Sequence, residues 1–243
     1  MPTTIPLPTP LNDLTPGDLS AISFDLDDTL HDFRGASKAG MDAVYDYISE
    51  IYGVPQPRLE KAYGEILAEA QSHHFVTDKP AKKYREARFE KLLDAFSIIG
   101  VRDLDHCLTL YQFSLDQATR PLDGAGEALK AAKDQDLMVL VISEGPHDAQ
   151  THALEQLGFS GLVDHLITSS KTGKSKSDGL YQATAKRLRL EPANILHVGD
   201  NPDRDTKAAE QAGWKALTVH AAEEKAGPRI NSLTELAAWL SQA

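Results

Sequence analysis

The chain has 243 residues, long enough for one large or two modest domains around a buried core, and its 41% hydrophobic and 25% charged residues are the balance of an ordinary globular protein. A formal net charge of −11 argues against nucleic acid or an anionic membrane surface as the main partner. The one cysteine, Cys107, excludes an internal disulfide and a thiolate metal cluster, and it fits a reducing compartment. Met1 to Pro10 lacks the basic and apolar segments of a secretory signal, and no stretch reaches the ~18 apolar residues of a membrane span, so the expected location is the cytoplasm.

Residues Pro2 to Thr15 carry four prolines and few large apolar groups, which predicts a flexible extension over residues 1–19. Then comes Ile22-Ser23-Phe24-Asp25-Leu26-Asp27-Asp28-Thr29-Leu30. A short apolar run that stops at a cluster of acids predicts a buried strand delivering carboxylates to its exposed end, because unpaired carboxylates inside a core cost several kcal/mol. Asp25 and Asp27 are two apart, so in extended chain they project to the same side, on the order of 6–7 Å apart.

From Phe33 the period changes. Met41, Val44, Tyr45, Ile48 and Ile51 recur at helical steps, as do Leu59, Tyr63, Ile66 and Leu67; Tyr84, Arg88, Leu92 and Phe96; and Leu104, Leu108, Tyr111 and Leu115. Four helices with no strand between them predict a small bundle, with Cys107 in its core.

After Pro121 strands and helices alternate, the pattern of a parallel sheet layered by helices. Leu137 to Ile142 is a buried strand ending at Ser143-Glu144-Gly145-Pro146. A helix runs through Leu157 to its stop at Gly158. His165 to Thr168 leads to a loop with Lys171, Lys174 and Lys176, followed by a helix from Leu180 to about Leu188. Ile195 to Val198 ends at Gly199-Asp200-Asn201-Pro202-Asp203-Arg204-Asp205. The strand Ala216 to Val219 and the helix Leu233 to Leu240 close the chain.

The fold class is therefore α/β: a Rossmann-like parallel sheet with helices on both faces, built from residues 20–32 and 120–243. A helical bundle of residues 33–119 is inserted after the first strand. In open α/β sheets ligands sit beyond the carboxyl ends of the strands, where all these polar clusters fall, and a bundle hinged there can act as a lid.

The strand ends supply, in order, two carboxylates, a hydroxyl, a lysine and another pair of carboxylates. Phosphoryl transfer needs that set: a nucleophile, an acid/base, charge neutralisation and a divalent cation on hard oxygen ligands. In this order the motifs resemble those of the haloacid dehalogenase-like hydrolase superfamily, in the form carried by its phosphatases with a helical cap after the first motif. The resemblance spans the chain from Ile22 onward.

It implies that Asp25 is the nucleophile, forming an aspartyl-phosphate, with its other oxygen on Mg²⁺. By the same resemblance Asp27 protonates the leaving oxygen, later activates water, and ligates the metal through its backbone carbonyl. Thr29 shapes the loop through a local hydrogen bond, and Asp28 is a turn acid. Ser143 binds the phosphoryl oxygens. Glu144 stands where the family often has a neutral residue, so it is expected to turn its carboxylate away and offer its backbone N–H, the alternative being a cationic part of the substrate. Lys176 neutralises nucleophile and phosphate, although the usual proline after it is Ser177, and Lys171 and Lys174 compete for the role. Asp200 is a direct Mg²⁺ ligand, while Asp205, with Asp203 as competitor, orients water or Lys176. His73, His74 and His147 have no partners at metal-ligand spacing and read as ordinary polar residues. His31, Asp32 and Arg34 lie at the hinge into the bundle, where substrate-selecting groups can sit.

The function these features predict is a Mg²⁺-dependent phosphatase for a small phosphorylated metabolite. A dehalogenase of the same superfamily needs no acid at the position of Asp27, and a phosphomutase would use the same residues with a different cap. A receiver-type signalling module shares the strand-end acids, hydroxyl and lysine, but it is about half this length and carries its phosphorylated Asp on a later strand.

Overall fold

Alternation with period two sorts the strand residues onto two faces of one sheet. Ile22, Phe24, Val139, Val141, Leu196, Val198, Leu217 and Val219 pack into one core cluster, whereas Ala21, Leu140, Ile142, Ile195 and Ala216 belong to another. A strand buried on both faces must be apolar at nearly every position, which is why these segments read as continuous apolar runs. The computed structural model of the chain describes residues 14–70, 76–220 and 229–242. His73, His74 and most of the N-terminal extension lie outside the described residues.

The six strands are β1 (Ala21–Phe24), β2 (Met138–Ser143), β3 (His165–Thr168), β4 (Ile195–Gly199), β5 (Lys215–Val219) and β6 (Arg229–Ile230). They form a parallel sheet in the order β3-β2-β1-β4-β5-β6, with Phe24 opposite Val141 on one side and Val198 on the other. The chain order reverses at β1, the topological switch point of such a sheet, and all strands end at the same edge.

Between β1 and β2 run four helices, α1 (Phe33–Tyr52), α2 (Gln56–Ala70), α3 (Ala81–Ala95) and α4 (Val101–Ala118). They share a core of their own that includes Val44, Ile48, Leu59, Phe89, Leu92, Cys107 and Tyr111. Asp32 caps α1 by accepting from the Gly35 N–H at 2.9 Å, and Gly53 closes the helix with φ of 67°. The buried face of α3 carries Phe89, Leu92 and Leu93; of the expected stripe Leu92 lies on it, Phe96 just past the helix packs partly buried against the same core, and Tyr84 and Arg88 are half-buried. Tyr84 and Arg88 stay half-buried because such side chains are apolar along their length and can keep their polar tips in water. The entering and leaving segments lie side by side: His31 pairs with Pro121, the Asp32 N–H donates to the Arg120 carbonyl at 3.3 Å, and Arg120 forms an ion pair with Asp32.

The remaining helices flank the sheet. They are α5 (Ala125–Asp134), α6 (His147–Gln156), the single turn α7 (Ser169–Thr172), α8 (Tyr181–Leu188), the short α9 (Ala208–Gln211) and α10 (Leu233–Leu240). Side chains of α5, α6 and α10 cover one face, and those of α8 and α9 cover the other. No helix among the described residues is long and apolar enough to cross a membrane.

Candidate active site

At the carboxyl edge β1 lies between β2 and β4, so three strand ends arrive side by side. The Asp25 N–H donates to the Val198 carbonyl at 2.9 Å and carries the β1–β4 ladder one residue further, which holds the Asp25 backbone rigidly beside Gly199. Ser143 is the buried last residue of β2.

Lys176 arrives from beyond α7. It is 4% exposed, and its ammonium donates to Asp25 Oδ1 and, at 2.6 Å, to Asp205 Oδ1. Lys171 instead pairs with Asp78 at the surface, and Lys174 is exposed, so Lys176 is the loop lysine that joins Asp25. Asp203 is exposed, whereas Asp205 is buried; its second oxygen accepts from the Asn201 N–H at 2.9 Å. Gly199 makes this approach possible, since a Cβ there would lie 2.4 Å from Asp205 Cγ.

The Glu144 carboxylate accepts from the Lys176 backbone N–H at 2.8 Å and lies 3.4 Å from Arg204 Nη1, so it braces the lysine loop.

A buried polar ladder beneath the edge went unforeseen. His197 in β4 bonds to Ser23 Oγ at 3.0 Å through Nδ1 and to the Tyr181 hydroxyl at 3.0 Å through Nε2, which also lies 3.6 Å from Asp205 Oδ1. Its one sequence signal is a histidine inside an otherwise apolar strand. Burial pulls its pKa down, so the ring is neutral near pH 7.

The electrostatics follow from three acids around one base. Burial opposes the charge on Lys176, but Asp205 and Asp25 override it and hold the ammonium protonated far above its usual range. Burial also opposes charge on Asp205, and there the Lys176 ammonium wins, keeping that carboxyl well below the usual range. For Asp25 burial dominates, with Asp205 and Asp27 adding to it against the pull of Lys176, so its carboxyl is raised. Asp200 is raised by burial and by the charges of Asp205 and Asp28.

The Asp27 carboxylate is held by partners other than this cluster's lysine. Its Oδ1 lies 3.0 Å from Nε2 of buried His31, and its Oδ2 accepts from Gln150 Nε2 at 3.2 Å. Neither partner was singled out as such in the sequence, although His31 stands four residues after Asp27. Asp28 has φ of 61°, a left-handed conformation that Asp tolerates, and it accepts from the Arg34 N–H at 2.9 Å. The Arg34 guanidinium bridges Asp28 at 2.9 Å and Asp200 at 3.6 Å. The local hydrogen bond expected of the Thr29 hydroxyl is corrected: Oγ1 is buried with no partner among the described residues. Main-chain bonds from Leu30 and His31 to the Leu26 carbonyl close the loop instead. His147 sits on Thr168 and Ser170, away from any group of ligands.

The donor set fits a hard divalent cation. Asp25, Asp200 and Asp205 each offer an oxygen, all within 4.8 Å of one another, and oxygen ligands are what Mg²⁺ selects. Burial, with the neighbouring carboxylates, raises the pKa of Asp25 and of Asp200, so both charges are disfavoured without a cation beside them. Asp205 is already committed to Lys176 and Asn201, which leaves Asp25 and Asp200 as the better placed donors. Asp200→Asn is therefore expected to raise the melting temperature of the metal-free protein by ~1–3 °C, because a neutral amide removes a disfavoured charge. Excess MgCl₂ is expected to stabilise the wild type, and the substitution to cancel that effect. Melting curves with and without MgCl₂ check both, and an unchanged Mg²⁺ response in the variant would count against Asp200 as a ligand.

Comparison with known proteins adds the following. A family model described as haloacid dehalogenase-like hydrolase matches residues 19–213. A glyceraldehyde 3-phosphate phosphatase from Methanothermobacter thermautotrophicus is 26% identical over 205 residues, covering 83% of this chain and 86% of that protein. A ribulose-1,5-bisphosphate 5-phosphatase from Halopiger xanaduensis is 22% identical, covering 84% and 86%. Among solved structures, a 2-haloacid dehalogenase from Pseudomonas syringae superposes with a TM-score of 0.67 at 21% identity, over 92% of this chain and 99% of that one, a likeness of fold.

Proposed function

The chain belongs to the haloacid dehalogenase-like hydrolases, and from that membership we propose that it is a Mg²⁺-dependent phosphatase hydrolysing a small phosphorylated metabolite through an aspartyl-phosphate. The observation that carries this reading is the buried Lys176 ammonium joined to both Asp25 and Asp205, with a second acid, Asp27, two residues beyond Asp25. The phosphatases among its relatives support it.

In this mechanism an Asp25 carboxylate oxygen attacks phosphorus while the P–O bond to the alcohol breaks, and Asp27 passes its proton to the departing oxygen. Asp27, now ionised, takes a proton from water as that water attacks the phosphorus of the aspartyl-phosphate. Inorganic phosphate leaves and Asp25 is restored. Lys176 offsets charge on the nucleophile and the phosphoryl oxygens, and the Ser143 hydroxyl and the Glu144 backbone N–H donate to those oxygens. Mg²⁺ held by Asp25, the Asp27 carbonyl and Asp200 would supply Lewis-acid stabilisation of the phosphoryl charge. Asp205 and Glu144 position Lys176, and Thr29 fills the loop beneath Asp27.

We assign residues 20–32 and 120–243 to the catalytic core and 33–119 to a cap, hinged where His31 and Asp32 run beside Arg120 and Pro121. Closing a cap over the strand ends excludes water from the reacting groups. Asp27 favours a phosphatase over a dehalogenase, because it is held by His31 and Gln150 as an acid/base must be, and attack on carbon has no use for it.

The test is hydrolysis of an aryl phosphate with Mg²⁺ and with excess chelator, together with acid quenching during turnover to trap phosphoprotein. Metal-dependent release of phosphate and label on Asp25 are expected. Equal rates with and without the cation would sink the reading.

A further inference from the structure

Between α3 and α4 on one side and α6 on the other lies a cavity of about 240 Å³, lined in part by Asp27, Arg85, Gln112, Gln150 and His152. Of the residues placed above in phosphoryl chemistry, Asp27 is the one that borders it, while Asp25, Ser143 and Lys176 do not. A general acid protonates the oxygen that leaves, so in the mechanism proposed above the alcohol lies on the cavity side of Asp27 and the cavity receives the rest of the substrate. Its volume is below the ~300 Å³ at which drug-sized pockets begin, which points to a molecule of a few carbons.

The charges on the wall are unevenly satisfied. Asp148, on the core side, accepts the Ala81 N–H at the start of α3 with both oxygens, each at 3.0 Å. Asp27 is held by His31 and Gln150. Facing them on α3 are Lys82 and Arg85, and no carboxylate among the described residues lies within ion-pair distance of Arg85. A half-buried guanidinium without a carboxylate is unusual in a chain of net charge −11.

Its orientation is fixed all the same. The guanidinium lies over the Tyr111 ring at 4.9 Å, and Nη1 donates to Gln112 Oε1. Gln112 Nε2 donates to Asp116 Oδ1 at 2.6 Å, and His152 Nε2 lies 2.9 Å from the same oxygen. A carboxylate only accepts, so Asp116 turns the Gln112 amide nitrogen toward itself and its oxygen toward Arg85. Among the described residues one N–H of the fork is used, and the others remain for a ligand.

We propose that Arg85 is a specificity-determining residue that binds a second anionic group on the leaving portion of the substrate. The class is thus a small phosphate monoester that also carries a carboxylate or another phosphate, groups whose paired oxygens match the planar fork.

This inference rests on the phosphatase reading, and the test separates the two. Wild type and Arg85→Met are assayed on two matched pairs: 3-phosphoglycerate against glycerol 3-phosphate, and propane-1,3-diol bisphosphate against 3-hydroxypropyl phosphate. In the wild type kcat/KM is expected to favour the doubly anionic member of at least one pair by about tenfold or more, mainly through KM, because the contact is remote from phosphorus. A preference confined to the first pair assigns a carboxylate, and one confined to the second a phosphate. Arg85→Met should bring the ratio to within about threefold of unity, and added guanidinium ion should restore part of it. Arg85→Lys, which keeps charge and stem without the fork, should lie between and serves if Arg85→Met does not fold. Equal use of both members by the wild type, or an unchanged ratio in folded Arg85→Met, overturns the inference and leaves the phosphatase reading intact. Hydrolysis of none of the four esters, nor of an aryl phosphate, overturns both.

Discussion

Asp25→Asn is expected to lower turnover of any phosphate ester by about 10⁴-fold or more while leaving the protein folded. The amide is nearly isosteric, and its oxygen still accepts from Lys176, so the buried contact survives. It also removes a carboxyl whose charge burial disfavours, so no large loss of stability is expected. What it cannot do is attack phosphorus as an anion. Steady-state release of phosphate, measured beside a melting curve, checks both halves. Activity within tenfold of the wild type would mean that another group attacks phosphorus and would remove Asp25 from that role.

Lys176→Met is expected to abolish turnover and to destabilise the metal-free protein by about 3–5 kcal/mol, the cost typical of leaving a buried ion pair with one partner. The methionine fills much of the same volume, so electrostatics rather than a cavity dominates the loss. Asp25 and Asp205 would then face each other, with Asp200 beside them, without the cation that now separates them. The ammonium is held protonated well beyond the ordinary lysine range, so the effect should persist across the pH range in which the protein is assayed. Because the damage is repulsion between acids, the double variant Lys176→Met/Asp205→Asn should recover part of the stability and none of the activity. Urea unfolding of the two single variants and the double variant measures this coupling. A Lys176→Met protein as stable as the wild type would show that the acids lose their charge instead of clashing.

Much of the site could be read from the chain because the physics involved is local. An apolar run that ends in acids must be a buried strand with its charges at an open end, so Asp25, Ser143 and Asp200 could be placed at one edge from pattern alone. The insertion of four helices after β1 was equally legible, since helical and extended stretches differ in period. Other assignments were beyond local pattern. Three lysines in one loop have the same composition and neighbourhood, and only the turn of α7 with the residues after it sends Lys176 inward while Lys171 and Lys174 stay at the surface. On α3 the expected stripe is buried at Leu92, while Tyr84 and Arg88, apolar along their length and polar at their tips, are only half-buried.

The chemistry of the strand ends was an implication of the family resemblance, whereas the pattern of residues along the chain determined by itself the fold class and the insertion. It did so because burial and period constrain each segment independently of the others. Tertiary structure alone decided who meets whom across distant positions: His31 and Gln150 at Asp27, His197 beneath Asp205, and Arg85 facing a cavity on the far side of Asp27. The first three pairings depend on how strands and loops of the core come together and the last on how the helical unit docks on the sheet, and neither is encoded in any single stretch of sequence.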